Sequence, residues 1–193
     1  LITMTDRGPD SAGIAIYSKE STNIGKLTVQ SDTPDVDFNQ LKDALKQLIE
    51  GGIDIRVQST HAVLEMRADQ VESARAVLKE IRPNVRVMSS GDSLEIYKEV
   101  GLPKDVASRF DIAQMSGSHG IGHTRMATES AVTTMGAHPF NTGSDQCLVH
   151  NGSLSNHNSL RRKLRRDGVH IETENDTEVG AAYLTWKMQN GST

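Results

Sequence analysis

The chain has 193 residues and a mass of 21.0 kDa, room for one ordinary domain or one domain with a sizeable insertion, since domains run to roughly 100–200 residues. Hydrophobic residues make up 36% and charged residues 24%, and no apolar run approaches the ~20 residues of a membrane span, so a soluble globular chain is expected and a membrane protein is not. A net charge of −4 and a pI near 6.0 give no overall electrostatic reason to expect nucleic acid or an anionic membrane as partner. The single cysteine, Cys147, rules out an intrachain disulfide and makes a reducing, cytoplasmic setting the default expectation. The chain begins at Leu1 without a signal-like segment and stops in a polar tail, and is expected to be a piece of a longer protein.

In chain order, the turn Asp6-Arg7-Gly8-Pro9-Asp10 feeds an alternating strand in which Ile14 and Ile16 face a core. A second short strand is predicted over residues 26–30, and Leu41, Leu45, Leu48 and Ile49 recur at helical spacing until Gly51-Gly52 stops the helix. Residues 53–115 read as a compact unit. Ile53, Ile55 and Val57 alternate as a strand, and residues 62–66 form its hairpin partner. Asp69 is placed to cap a helix that buries Val71, Ala74, Val77, Leu78 and Ile81 and ends at Pro83. Val85 and Val87 open another strand, and Ser89-Ser90-Gly91-Asp92 is predicted as a turn into a last strand around Leu94 and Ile96. No Cys, His and carboxylate cluster with metal-ligand spacing occurs there, which favours a structural or interface role.

After Gly117 the texture changes to dense Gly, His, Thr, Ser and Asn, a mark of loops that carry chemistry. Four strings stand out. They are Arg7-Gly8-Pro9-Asp10-Ser11; Gly120-Ile121-Gly122-His123-Thr124-Arg125-Met126-Ala127-Thr128-Glu129; Ala137-His138-Pro139-Phe140; and Val149-His150-Asn151-Gly152-Ser153-Leu154 followed by Asn175-Asp176-Thr177-Glu178-Val179. Alone, Asn151-Gly152 is a tight turn, Arg125 a surface ion-pairing arginine, and Asp176 the cap of a helix over residues 177–188. Together, in this order and spacing, the strings resemble the class II, N-terminal-nucleophile glutamine amidotransferases. The resemblance covers residues 1–17 and 117–193, a little under half of the chain.

The resemblance implies an α+β, N-terminal-nucleophile-hydrolase-like four-layer αββα sandwich, truncated at both ends. Residues 1–30 and 116–193 would form the amidotransferase domain, residues 53–115 a small α+β insertion, and residues 31–52 a connecting helix. It implies that the Asn151 side-chain amide and the Gly152 backbone N–H hold the oxyanion formed when a nucleophile attacks the glutamine amide. Arg125 would bind the α-carboxylate of glutamine through paired donors, Asp176 the α-ammonium, and Thr128 would add a hydrogen bond to the carboxylate. Arg7 would help order the site near the nucleophile. The implied partners are glutamine and a synthase subunit or domain that accepts ammonia. No cofactor, metal, nucleic acid or membrane is expected.

Two observations qualify this picture. The family's nucleophile is an N-terminal cysteine, and Cys147, on a strand that reads as buried, is no substitute, so the chain as it stands is expected to be inactive. The run from His119 to Ser130 looks most like amidotransferase subunits of archaeal-type glutamate synthases, of N-methylglutamate synthase and of GlxB-like proteins. The alternatives are a non-catalytic glutamine-binding regulatory or scaffolding domain, and the glutaminase domain of another amidotransferase such as glucosamine-6-phosphate synthase. His123, His138 and His150 stand at no close metal-ligand spacing. The basic run at Arg161, Arg162, Lys163, Arg165 and Arg166 reads as a solvated helix face.

Overall fold

The computed structural model describes residues 1–18, 23–127 and 131–191. A 3-10 helix, Ile2–Arg7, leads into strand β1 (Ser11–Tyr17), followed by β2 (Ile24–Gln30) and the short helices α1 (Pro34–Asp37) and α2 (Leu41–Lys46). Then come β3 (Ile53–Gln58), β4 (His61–Arg67), α3 (Val71–Ile81), β5 (Arg86–Gly91), β6 (Leu94–Val100) and α4 (Pro103–Arg109). The last stretch holds β7 (His119–Arg125), β8 (Phe140–Gly143), β9 (Gln146–Leu148), α5 (His157–Arg166) and α6 (Asp176–Gln189). The chain is therefore α+β, as expected, and every strand pairing is antiparallel.

A four-stranded sheet runs β3-β4-β2-β5 and a three-stranded sheet β6-β1-β7, with β8-β9 as a separate ribbon. One face of the four-stranded sheet buries Leu27, Val29, Leu64 and Met66 against Leu41 and Leu45 of α2 and Ala74 and Leu78 of α3. Burying a Leu-sized side chain contributes about 1.5–3 kcal/mol, so these helices are held by packing and not by their length. Val63, on the opposite face of β4, packs on Ala12, Tyr97 and Phe110 and so joins the two larger sheets. The other face of the three-stranded sheet packs Ala15, Leu94 and Ile96 with Met88, Met135 and Cys147.

The predicted sequence of strand, strand, helix, strand, strand is present as β3, β4, α3, β5, β6. Two strands lace that segment to the rest: β2 lies between β4 and β5, and β6 pairs with β1. Ser89, Ser90 and Gly91 are not a turn. They continue β5 because they find partners in Thr28, Leu27 and Lys26, which leaves Asp92 and Ser93 to reverse the chain. Asp69 does not cap α3. A 3-10 turn occupies Ala68–Gln70, and the Asp69 carboxylate accepts from Arg67 instead.

The basic run on α5 divides. Arg161 is buried, its Nη1 donating to Glu174 at 2.7 Å and Asn158 at 3.0 Å, while Arg162, Lys163, Arg165 and Arg166 are exposed. Position 161 lies three residues before the core residue Leu164 on the same helix face, and that spacing turns it inward. Among the described residues, no helix is long and apolar enough to cross a membrane.

Candidate functional site

Arg125 ends β7, and the turn before β1 clamps it. Register places Ser11 opposite Arg125 and Gly13 opposite His123, so alternate residues of the two strands share a face. Asp10 donates its N–H to the Arg125 carbonyl at 3.1 Å, and its Oδ2 accepts the Ala127 N–H at 2.8 Å. Gly8 lies so close to β7 that a Cβ there would sit 2.5 Å from the Arg125 nitrogen. Arg7 itself is exposed. Thr128 lies outside the described residues.

The loop before β8 bridges the two charged candidates. Gly136 packs beside Arg125, a Cβ there falling 3.4 Å from Nη1, and its carbonyl accepts from Asn175 Nδ2 at 3.4 Å. Asn175 caps α6, its Oδ1 accepting the Thr177 N–H at 2.8 Å. Asp176 is therefore the first helical residue and not the cap, and its carboxylate is released for other work. Thr177 Oγ1 lies 2.8 Å from His138 Nε2, next to the cis His138-Pro139 bond. The His138 ring sits on that of His123, centroids 4.4 Å apart. Burial, reinforced by the charges of His123, Lys98, Arg125 and His150, holds the His138 pKa down at about 3. Burial, then Arg125 and His150, also lowers His123.

The segment after β9 completes the group. The strand stops at Leu148, so Val149 and His150 lie in an irregular turn with Asn151 and Gly152 exposed beyond it. Asp176 Oδ2 accepts the Leu154 N–H at 2.8 Å and stands 4.0 Å from His150 Nδ1. A Cβ on Gly152 would come within 2.8 Å of His150 Nε2. Hence His150, Gly152 and Leu154 form one close-packed segment held by Asp176 against the N-terminus of α6, where the helix dipole favours negative charge. No group of three or more His, Cys, Asp or Glu suited to hold a metal ion occurs among the described residues.

Residues 110–190 match the glutamine amidotransferase domain family. The glutamine amidotransferase-like protein GlxB of Rhizobium meliloti (strain 1021) is 64% identical over 193 residues, which cover 99% of this chain and 63% of that protein. The glutamine–fructose-6-phosphate aminotransferase (isomerizing) of Methanosarcina mazei is 40% identical over 111 residues, 56% of this chain and 17% of the relative. That of Vibrio vulnificus (strain YJ016) is 35% identical over 108 residues, again 56% of this chain and 18% of the relative. By these matches the chain is similar, over residues 110–190, to a glutamine amidotransferase domain. It spans a little under two thirds of the GlxB relative's length.

Within this domain Cys147 is a poor nucleophile. Burial pushes its thiol up, against a lowering contribution from the Tyr17 hydroxyl 3.3 Å away, and a reactive cysteine needs the reverse. Three residues of the site escaped the sequence reading. Asn175 and Thr177 lie within a motif in which Asp176 alone has an assigned part, although an Asn just before a helical run is an N-cap signal. Lys98, between Tyr97 and Glu99 on β6, carries no such signal: one lysine among alternating charges looks like a solvated strand face.

Proposed function

We propose that the domain binds glutamine and takes part in releasing its amide nitrogen as ammonia for a synthase partner, within an N-terminal-nucleophile αββα fold. In this reading residues 1–30 and 116–193 are the amidotransferase portion, and residues 53–115, reached through 31–52, are an insertion. Arg125 takes the α-carboxylate with two parallel donors and Asp176 the α-ammonium. Asn151 Nδ2 and the Gly152 N–H stabilise the oxyanion as the tetrahedral intermediate forms. Thr128 adds to the carboxylate contacts, and Arg7 orders the entrance where the nucleophile arrives.

The observation that carries this reading is the Gly136 bridge. One loop runs beside the Arg125 guanidinium, where a Cβ on Gly136 would fall 3.4 Å from Nη1, and bonds the residue that caps the helix of Asp176, so the cation and anion needed for the two ends of an amino acid lie against a common support. Asp176 uses Oδ2 for the Leu154 N–H, which leaves Oδ1 to an incoming ammonium. Because Cys147 is a half-buried thiol whose pKa burial pushes up, we assign the nucleophile to a cysteine outside these residues, and the 193 residues alone bind glutamine without turning it over. We assign the ammonia acceptor to a glutamate-synthase-like partner in a reducing cytoplasm, on the resemblance of residues 119–130.

The test uses the full-length protein with its own N-terminus and a synthase partner. Calorimetry should show L-glutamine binding, and coupled assay should show glutamate release. Asp176→Ala should weaken binding about 10–100-fold, the range expected for one hydrogen bond to a charged group. Absence of both binding and glutamate release in the unaltered protein would sink the proposal.

A further inference from the structure

Lys98 is a lysine with no solvent to serve. It is 3% exposed, and its Nζ donates to three main-chain carbonyls, Ala137 at 2.8 Å, Pro139 at 3.1 Å and Met135 at 3.2 Å. It also stands 4.4 Å from the centroid of the Phe140 ring. These acceptors are alternate residues of the loop that links Arg125 to α6. Three donors on an ammonium match three carbonyls, so its hydrogen-bonding capacity is used in full. An ammonium in an apolar site is costly unless so compensated. Burial pulls the Lys98 pKa down to about 7, with Glu178 and Glu172 opposing. A lysine retained at that cost holds something in place.

The sheet explains what it holds. Gly13 of β1 pairs with Lys98 on one side and His123 on the other, so the three residues form a row across β6-β1-β7. The middle position has to be glycine, because a Cβ there would collide with the His138 carbonyl and would lie 2.6 Å from Lys98 Cβ. The loop therefore rests on the bare backbone of Gly13. Lys98 grips its carbonyls from one flank, and the tilted His123 ring packs on the His138 ring from the other. From this seat His138 reaches Thr177 at 2.8 Å, and Gly136 lies beside Arg125 and accepts from Asn175.

We infer that Lys98 is a positioning residue for glutamine, acting through the loop 135–139 and the His138–Thr177 hydrogen bond to set the spacing of Arg125 and Asp176. This rests on the glutamine site proposed above. The ammonium touches no substrate. Its effect is on how well the two charged ends fit, so its loss shows first in glutamine affinity.

The test is a double-mutant cycle in the full-length protein, with L-glutamine affinity measured by calorimetry. Lys98→Met should raise Kd about tenfold or more and Thr177→Val about threefold to tenfold, each corresponding to the loss of one structural hydrogen-bonded link. Because both act along one path, the double variant should bind little worse than Lys98→Met alone. Lys26→Met is the control. Lys26 is also buried, at 7% exposure, and bonds Glu95 at 2.7 Å away from this loop, so it should lower the melting temperature while Kd stays within about twofold. Lys98→Met, folded and binding glutamine as tightly as the unaltered protein, would overturn the inference, as would losses that multiply with those of Thr177→Val. If Lys98→Met does not fold, Lys98→Gln, which keeps an N–H donor on a shorter arm, takes its place under the same criteria. An unaltered protein that fails to bind glutamine refutes the site itself, a result distinct from a Lys98 variant that binds normally.

Discussion

The seat of Arg125 makes a sharp prediction for Gly8→Ala. A methyl at position 8 would stand 2.5 Å from the Arg125 nitrogen, 2.5 Å from the Thr124 carbonyl carbon and 2.6 Å from its oxygen. Carbon contacts are comfortable at ~3.5–4 Å, so the two backbones must part by roughly 1 Å. All three obstructing atoms are main chain, in a strand paired along its length with β1, and none can swing aside as a side chain would. Gly8 has φ −168°, an extended conformation alanine adopts readily, so the whole cost is contact. Overpacking of this kind costs about 1–3 kcal/mol, and misplacing a substrate-holding group by about 1 Å costs about a hundredfold in the step it supports. Gly8→Ala in the full-length protein should therefore bind L-glutamine about 10–100-fold more weakly by calorimetry. Gly168→Ala is the comparison: with φ +85° and no atom within 4 Å of the new Cβ, it should cost about 1 kcal/mol of backbone strain and leave affinity unchanged. Equal affinity in Gly8→Ala and unaltered protein would refute the claim that this turn seats Arg125.

Acid should destabilise the fold through its buried histidines. Burial, then the charges of Lys98 and Arg109, holds His61 at about 3, and His138 is also near 3; the unfolded chain takes up protons at ~6.5, so stability is complete above that pH and falls as pH drops toward 3, by about 2 kcal/mol per histidine between pH 6.5 and pH 5. His61→Phe should flatten the pH dependence of urea-unfolding stability by that amount, and an unchanged slope would refute it. Arg125→Lys should weaken glutamine binding about tenfold or more through loss of the paired donors, yet bind glutamine analogues lacking the α-carboxylate as the unaltered protein does; equal losses for both ligands would count against the assignment. Asn175→Ala should cost about 1 kcal/mol by removing the α6 cap, visible in denaturant titration. Cys147→Ser should leave glutamine hydrolysis by the full-length protein within about twofold, since a half-buried thiol whose pKa is pushed up has no part in the attack.

The fold was most legible where one face of an element meets one core. The alternation of Ile53, Ile55 and Val57 and the helical spacing of Val71, Ala74 and Leu78 follow directly from two-residue and 3.6-residue periods. Sequence misleads where a partner that composition does not reveal overrides the local signal. Ser89-Ser90-Gly91 has turn composition, but β2 offers these residues a ladder from more than fifty positions earlier. Asp69 stands before a helical run, yet Arg67, two residues back, takes its carboxylate. The basic stretch on α5 has a uniform composition, yet Arg161 alone of its cations falls in phase with Leu164 and is buried.

The site was legible for a different reason. Its glycines are places where a neighbour leaves no room for a Cβ, and the residue type shows this even where the neighbour is distant in sequence: Gly8 against Thr124 and Arg125, Gly13 beneath His138, Gly152 beside His150. A string of such residues keeps its composition because neither side of the contact can accept a Cβ. Lys98 is the opposite case. The carbonyls it serves lie 37 to 41 residues away, and carbonyls are common to every residue type, so nothing in the loop's sequence announces the cation that holds it. What a lysine at that position reports is only visible once β6 is seen to run beside β1 and not at the edge of the four-stranded sheet. Sequence thus exposes the groups that would meet glutamine, while the packing that sets their spacing emerges from the strand order, and Gly13 is where the two meet: a motif-proximal glycine whose neighbours on either side, Lys98 and His123, grip the same loop.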